Sequence, residues 1–248
     1  MIKDIIITAF ACGGKMKCQE EAAKFADPPL VINVPGGSQT GFRNTAQKYR
    51  KNNTILDNFL KNYAKDVTPR RICLVSFSAG WSWSTEVLRA PADPARIDTV
   101  LVMDGIHTRS LDCWFNYAEL CLKTDAKLFL AHTQIKPPFI SSTATNTNII
   151  NHAREIGTNK DPITIPEYIW DVTLESPISV YSNIENPKTK TYSKDPLDSF
   201  EAVGNVARFE YEGGKAQDHI YNAHYTQPRF WNWIRNLWAN PDYGVKYS

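Results

Sequence analysis

The chain of 248 residues lacks several features that mark whole classes of protein. No apolar run approaches the roughly 20 residues that a membrane-spanning helix needs, so we expect no membrane span. The 28 basic and 26 acidic residues leave a net charge of only +2, without the basic excess that is typical of nucleic-acid-binding domains. We therefore expect neither a membrane span nor a nucleic-acid partner.

Cysteine is also scarce, and its spacing favours neither a disulfide framework nor a metal site. The five cysteines are odd in number and include no C-x-x-C pair, so we expect no zinc and no other metal. The phosphate-binding G-x-x-x-x-G-K-[ST] and the dinucleotide-binding G-x-G-x-x-G motifs are both missing. The chain is expected to work without a cofactor.

The first residues, "MIKDIIITAF", have a short apolar run without the longer apolar region and small-residue cleavage site of a secretory signal. The sequence therefore favours a cytoplasmic protein, and export by another route stays open. Hydrophobic residues make up 42% and charged residues 22%, an ordinary globular balance. We expect a single domain over residues 1–248, and no oligomeric state follows from the sequence.

Six apolar runs predict buried strands: "DIIITAFA", "PLVINVPGG", "RRICLVSF", "IDTVLVMDG", "AKLFLAHT" and "VARFEYEGG". Helical spacing of apolar residues predicts helices in "NNTILDNFLKNYAK" with a cap at Asn53 or Thr54, from about Gly80 to Ala90, and in "PRFWNWIRNLWAN" from Pro228. Strands that are apolar throughout and alternate with helices indicate an α/β fold. We predict a mostly parallel central sheet covered by helices on both faces.

The segment from about 161 to 199 differs from the rest, because it is rich in Pro, Ser, Thr and Asn. It predicts an insertion with short β pieces, placed between the fifth and sixth strands. The insertion is either a lid that shapes a substrate pocket or a solvated excursion without a role. A loop near residues 109 to 121 is expected to shape the same pocket.

The stretch "RRICLVSFSAGWSWS" runs from an apolar strand through small residues into a helical pattern. A nucleophile elbow needs this order: a strand, a sharp turn that carries the serine between small residues, and then a helix. In the consensus G-x-S-x-G, Ser76 replaces the first glycine and Gly80 supplies the second. From the first strand to the last helix, the chain resembles the α/β-hydrolase superfamily, which makes Ser78 the expected nucleophile. A plain strand-to-helix turn is the alternative.

In the resembled superfamily an acid and then a histidine follow the serine along the chain. Asp104 ends the fourth strand and is the expected acid, although Asp-Gly is also a common turn former. The more usual place, after the next strand, holds His132, Thr133 and Gln134 but no carboxylate. His219 and His224 lie where the superfamily places the base, in a loop before the last helix. We favour His219, and His224 stays open.

An oxyanion hole needs two backbone N–H donors. The resemblance implies Ala79 as one donor, and Ala11 or Cys12, in the loop after the first strand, as the other. We expect Trp81 to line the pocket, with His107, His132 and His224 as further candidates. Core packing is the alternative for Trp81. A structural role is the expectation for His107 and His132, and core packing is the expectation for the other tryptophans.

The resemblance implies a serine hydrolase that cleaves a carboxylic ester in a small molecule or a polymer through an acyl-enzyme. An amidase or peptidase with the same triad, including one that acts on cell-wall polymers, is an alternative. A second alternative is a non-catalytic binding protein on the same fold. Its support is the serine in place of the first elbow glycine and the missing carboxylate after the fifth strand.

Overall fold

The computed structural model describes residues 1–11, 18–136, 140–157, 178–179, 189–190 and 197–239. The structure describes the backbone alone at residues 178–179, 189–190, 197, 216–217, 220–225 and 227–229. Within these limits, none of the helices combines the length and the apolarity that crossing a bilayer requires.

Seven strands form the central sheet: β1 (Ile2–Phe10), β2 (Leu30–Asn33), β3 (Thr68–Phe77), β4 (Thr99–Met103), β5 (Lys127–Thr133), β8 (Leu197–Val203) and β9 (Val206–Tyr211). Their order is β2-β1-β3-β4-β5-β9-β8, and β8 alone among them pairs in the antiparallel sense. Two short strands, β6 (Ile178–Ser179) and β7 (Thr189–Lys190), pair separately. The six predicted strands and the mostly parallel sheet are confirmed.

The sheet is covered on both faces by helices: α1 (Cys18–Ala22), α2 (Gln39–Tyr49), α3 (Leu56–Tyr63), α4 (Trp81–Leu88), α5 (Asp112–Lys123), α6 (Ser142–Ile156) and α7 (Ala216–Trp238). Successive side chains of a strand point to opposite faces, and the hydrophobic core is divided accordingly. Leu128 and Leu130 share one cluster with apolar residues of α2 to α6. Phe129 and Ala131 share the other with α1 and α7.

One prediction about the segments around the sheet is wrong. The expected loop near 109–121 is largely helix α5, because buried residues recur at helical spacing there: Cys113, Trp114, Tyr117, Ala118, Cys121 and Leu122. The last residues of the expected insertion belong to β8, which forms the edge of the central sheet. Apart from these residues and the short β6 and β7 strands, the stretch 161–199 lies outside the described residues.

The last helix also begins earlier than predicted, at Ala216 rather than at Pro228. The side chain of Asp218 accepts the backbone N–H of Lys215 at 2.9 Å and so closes the first turn. Gly213 makes room for that carboxylate, since its φ is +120° and an added Cβ would lie 2.4 Å from the Asp218 Cγ. His219 therefore stands in the first turn of α7 and not in a loop.

The C-terminal end of α7 is held at the edge of the sheet where the central strands begin. Arg71 on β3 is buried and forms a bidentate ion pair with Asp4 on β1, with hydrogen bonds of 2.6 and 2.9 Å. Its guanidinium also donates to the Trp238 carbonyl at 3.0 Å. The Trp238 indole N–H in turn donates to the buried carboxylate of Asp98 at 3.2 Å. These contacts fix the helix that carries His219 against the central strands.

Candidate active site

Strand β3 ends at Phe77 and helix α4 begins at Trp81, and the tight turn between them carries Ser78. The φ of Ser78 is +51°, in the left-handed region that residues other than glycine rarely adopt. Such a conformation costs on the order of 1–3 kcal/mol and persists only where the surrounding structure imposes it. A strained serine between strand and helix is the arrangement that a nucleophile elbow requires.

Gly80 allows this turn to lie directly against β1. An added Cβ at Gly80 would lie 1.7 Å from the carbonyl oxygen of Ala9, so no other residue fits without displacing the strand. Ser76 is fully buried inside β3, with its Oγ 3.5 Å from the Leu101 carbonyl oxygen. Ser82 is also buried, in α4. Of the three serines, only Ser78 occupies the turn.

We expect Gly80→Ala to destabilise the chain by about 1–3 kcal/mol or more, because the added methyl group overlaps the β1 backbone. Gly214→Ala is the matched control, since its added Cβ would lie 3.7 Å from its nearest neighbour and its effect should stay within about 0.5 kcal/mol. Urea unfolding of both variants measures the difference. Equal stabilities for Gly80→Ala and the wild type would contradict the packing described here.

Asp104 follows the last residue of β4, and three donors besides a histidine surround its buried carboxylate. Thr133, at the end of neighbouring β5, donates its backbone N–H at 2.9 Å and its hydroxyl at 2.7 Å. Ser142, the first residue of α6, donates its hydroxyl at 2.9 Å. Such a set of donors fixes the orientation of the carboxylate and compensates for its removal from water.

The electrostatic balance at Asp104 favours the ionised carboxylate. Burial by itself raises the pKa of Asp104, but the hydrogen bond and charge of His219 and the two bonds from Thr133 outweigh it. The pKa of Asp104 therefore lies below its ordinary value. The group remains an anion at neutral pH although it is buried.

His219 supplies the fourth contact of Asp104, with its Nδ1 3.3 Å from Oδ2. The ring also packs on Phe77, with 4.8 Å between the two centroids and 31° between the planes. About a quarter of the His219 side chain is exposed, so one part of the ring faces solvent while the other faces Asp104. Asp218 caps α7 and does not orient His219, as expected, and the side chain of His224 lies outside the described residues.

Ser78 lies at the same edge of the sheet as this pair, because the carboxyl ends of adjacent parallel strands lie there. Gly105, next to Asp104, packs against the turn that carries Ser78: an added Cβ there would lie 3.1 Å from the Ser78 carbonyl oxygen. Phe77, which contacts His219, immediately precedes Ser78. The sequence-predicted acid and histidine are thus in contact, and the predicted serine lies at the same edge of the sheet.

The expected oxyanion donors have different surroundings. Ala79 lies in the turn directly after Ser78, which is the position that the resemblance gives to the first donor. The N–H of Ala11 instead donates to the carbonyl of Phe77 at 3.4 Å and continues the pairing of β1 with β3. Ala11 is thus already engaged, and Cys12 lies outside the described residues.

Two of the expected pocket residues are part of the core. Trp81 is only 3% exposed and packs in the same cluster as the apolar residues of α2 to α6. His132 is fully buried, and its Nδ1 lies 3.3 Å from the Thr133 carbonyl oxygen. His107 is half-buried, and its Nδ1 lies 3.0 Å from the Ile140 carbonyl oxygen.

Sequence reasoning missed the roles of Thr133 and Ser142. A signal for Thr133 was present, because it ends the strand next to the one that carries Asp104 and so reaches the same edge. Ser142 had no such signal, since α6 was not predicted. Among the residues that the structure describes, no group of three or more His, Cys, Asp or Glu side chains is arranged to hold a metal ion.

In this arrangement a carboxylate holds one ring nitrogen of an imidazole, and a serine turn lies at the same edge of the sheet. Each of its three side chains comes from a different element: the turn after β3, the end of β4 and the first turn of α7. Comparison of the chain with protein-family models, with curated proteins and with solved structures finds no match.

Proposed function

We propose that the chain is a serine hydrolase of the α/β-hydrolase type that cleaves a carboxylic ester through an acyl-enzyme. The observation that carries this proposal is the 3.3 Å contact between His219 Nδ1 and Asp104 Oδ2 beside a serine held at φ +51°. Each feature has a known use in catalysis: the strained turn exposes the hydroxyl, and the carboxylate fixes the tautomer of the imidazole. The superfamily order of serine, acid and histidine also supports it.

In the proposed reaction Ser78 Oγ attacks the ester carbonyl carbon while His219 Nε2 takes its proton. Asp104 accepts the Nδ1–H of His219 and stabilises the imidazolium that forms. The N–H of Ala79 donates to the oxyanion, and Cys12 is the remaining candidate for a second donor. His219 then protonates the departing alcohol, and a water molecule activated by His219 releases the acid from Ser78.

The ester is favoured over an amide on the resemblance to the superfamily, not on a feature of the described residues. A panel of nitrophenyl esters of different acyl length, sugar esters and amides would define the bond and the acyl group. Faster turnover of amides than of esters would assign the chain to the amidase and peptidase alternative.

Labelling with a fluorophosphonate tests the proposal without knowledge of the substrate, because the reagent reacts with an activated serine. We expect the wild type to be labelled and Ser78→Ala to remain unlabelled. Ser76→Ala is the matched control, since it removes a hydroxyl two residues away that is buried inside β3. An unlabelled wild type that also hydrolyses no nitrophenyl ester would favour the non-catalytic binding protein.

A further inference from the structure

His107 lies three residues after Asp104, and its ring is half-buried. The ring contacts the segment 140–142, which also supports the carboxylate of Asp104. The ring Nδ1 lies 3.0 Å from the carbonyl oxygen of Ile140. Since a carbonyl oxygen only accepts hydrogen bonds, we assign the hydrogen of the contact to Nδ1. Ile140 stands two residues before Ser142, whose hydroxyl donates to Asp104 at 2.9 Å.

These contacts form a closed circuit that begins and ends at Asp104. The chain runs from Asp104 through Gly105 and Ile106 to His107, the hydrogen bond crosses to Ile140, and Ser142 returns to the carboxylate. The connection is short, so a shift of Ile140 would move the start of α6 relative to Asp104. His107 is thus placed to set the distance between two segments that must meet at one carboxylate.

The turn at 104–106, which belongs to this circuit, has a strained backbone. Asp104 has a φ of +42° and Ile106 a φ of +66°, and Ile106 is fully buried. A positive φ is rare for a β-branched residue, and it persists only where the surrounding contacts impose it. The bond from His107 to Ile140 is one such contact, immediately after the strained residues.

The charge state of His107 suits a structural hydrogen-bond donor beside Asp104 and His219. Burial lowers the pKa of His107, while the backbone of Ile140 and the charge of Asp104 oppose that effect. The net pKa lies below the ordinary histidine value, so the neutral ring predominates at pH 7. A neutral His107 donates to Ile140 without competing with His219 as a second cation beside Asp104.

We propose that His107 is a positioning residue, which through its Nδ1–H bond to Ile140 holds the turn at 104–106 and Ser142 so that Asp104 faces His219. This inference rests on the proposed function. His107 acts through Asp104 and does not itself contact the reacting atoms.

Two replacements of His107 separate this role from simple space filling. His107→Leu removes the donor, whereas His107→Asn keeps an amide N–H close to the place of Nδ1. We expect the leucine variant to lose about 10- to 100-fold in kcat for a nitrophenyl ester and in the rate of fluorophosphonate labelling, with KM unchanged, because a misplaced catalytic group costs about that much. The asparagine variant should stay within a few-fold of the wild type.

His152→Leu is the matched control. It replaces another partly buried histidine, located on α6 and 3.2 Å from Glu119, and it should react at the wild-type rate. If His107→Leu fails to fold in a thermal unfolding scan, His107→Gln takes its place, because its amide nitrogen falls near Nε2 instead of Nδ1. A slow glutamine variant beside a fast asparagine variant supports the proposal.

Wild-type rates in His107→Leu, or equal losses in the donor-removing and donor-keeping variants, would overturn the inference while leaving the hydrolase proposal intact. An unlabelled wild type would overturn the proposed function and this inference together.

Discussion

His219→Ala is expected to lower ester turnover by about 10⁴- to 10⁶-fold, the range found when a triad histidine is removed from a serine hydrolase. Without the imidazole, nothing accepts the proton of Ser78, and the hydroxyl is a poor nucleophile at neutral pH. The remaining rate would come from substrate binding and the oxyanion donors. Steady-state kinetics with a nitrophenyl ester, together with circular dichroism to verify folding, measures the effect.

His224→Ala is the control for this experiment, because it removes the other histidine of α7. We expect it to retain nearly full activity, since Asp104 contacts His219. A large loss in His224→Ala with little effect of His219→Ala would assign the base to His224.

Asp104→Asn is expected to lower kcat by about 10⁴-fold, although asparagine has nearly the same shape. An amide in this position can donate a hydrogen bond to Nδ1, which favours the tautomer with its hydrogen on Nε2 and leaves no base facing Ser78. The substitution also halves the acceptor capacity that Thr133 and Ser142 now use. Nitrophenyl ester kinetics over a range of substrate concentrations separates kcat from KM.

Asp112→Asn provides the matched control, because Asp112 is exposed at the start of α5 and away from His219. Its turnover should equal that of the wild type. Near-full activity in Asp104→Asn would remove Asp104 from the triad.

Asp104→Asn should also change the pH dependence of the free energy of unfolding. The pKa of Asp104 is lower in the folded chain than its ordinary value of about 3.9. Folding therefore favours the ionised form, and this contribution is complete above about pH 4 and disappears as the pH falls through the lowered pKa. Urea unfolding at pH 7 and pH 3 should show a smaller acid destabilisation in Asp104→Asn than in the wild type.

The sequence predicted six of the seven strands of the central sheet because most of these six contain a continuous apolar run. Buried parallel strands carry this signal in consecutive residues, and no distant contact is needed to recognise them. The serine turn was predictable for a related reason, since Gly80 and the flanking strand and helix are all local. Asp104 followed from its place directly after β4.

Three features were missed, and only the last of them depends on a contact distant in sequence. The start of α7 depends on Asp218 and on the space left by Gly213, and Pro228 gave a stronger but misleading signal. Helix α5 went unrecognised, although Trp114 and Tyr117 show helical spacing. The hydrogen bond from Ser142 to Asp104 joins residues 38 positions apart, which no local pattern encodes.

The burst of nitrophenol release in a rapid-quench experiment tests the central claim most directly, because an acyl-enzyme is the intermediate that the triad must form. At saturating ester and low temperature, we expect a burst of about one equivalent per chain where deacylation limits turnover. Peptide mass spectrometry after an acid quench should then place the acyl group on Ser78. An acyl group on another residue, or turnover that proceeds unchanged in Ser78→Ala, would contradict the account.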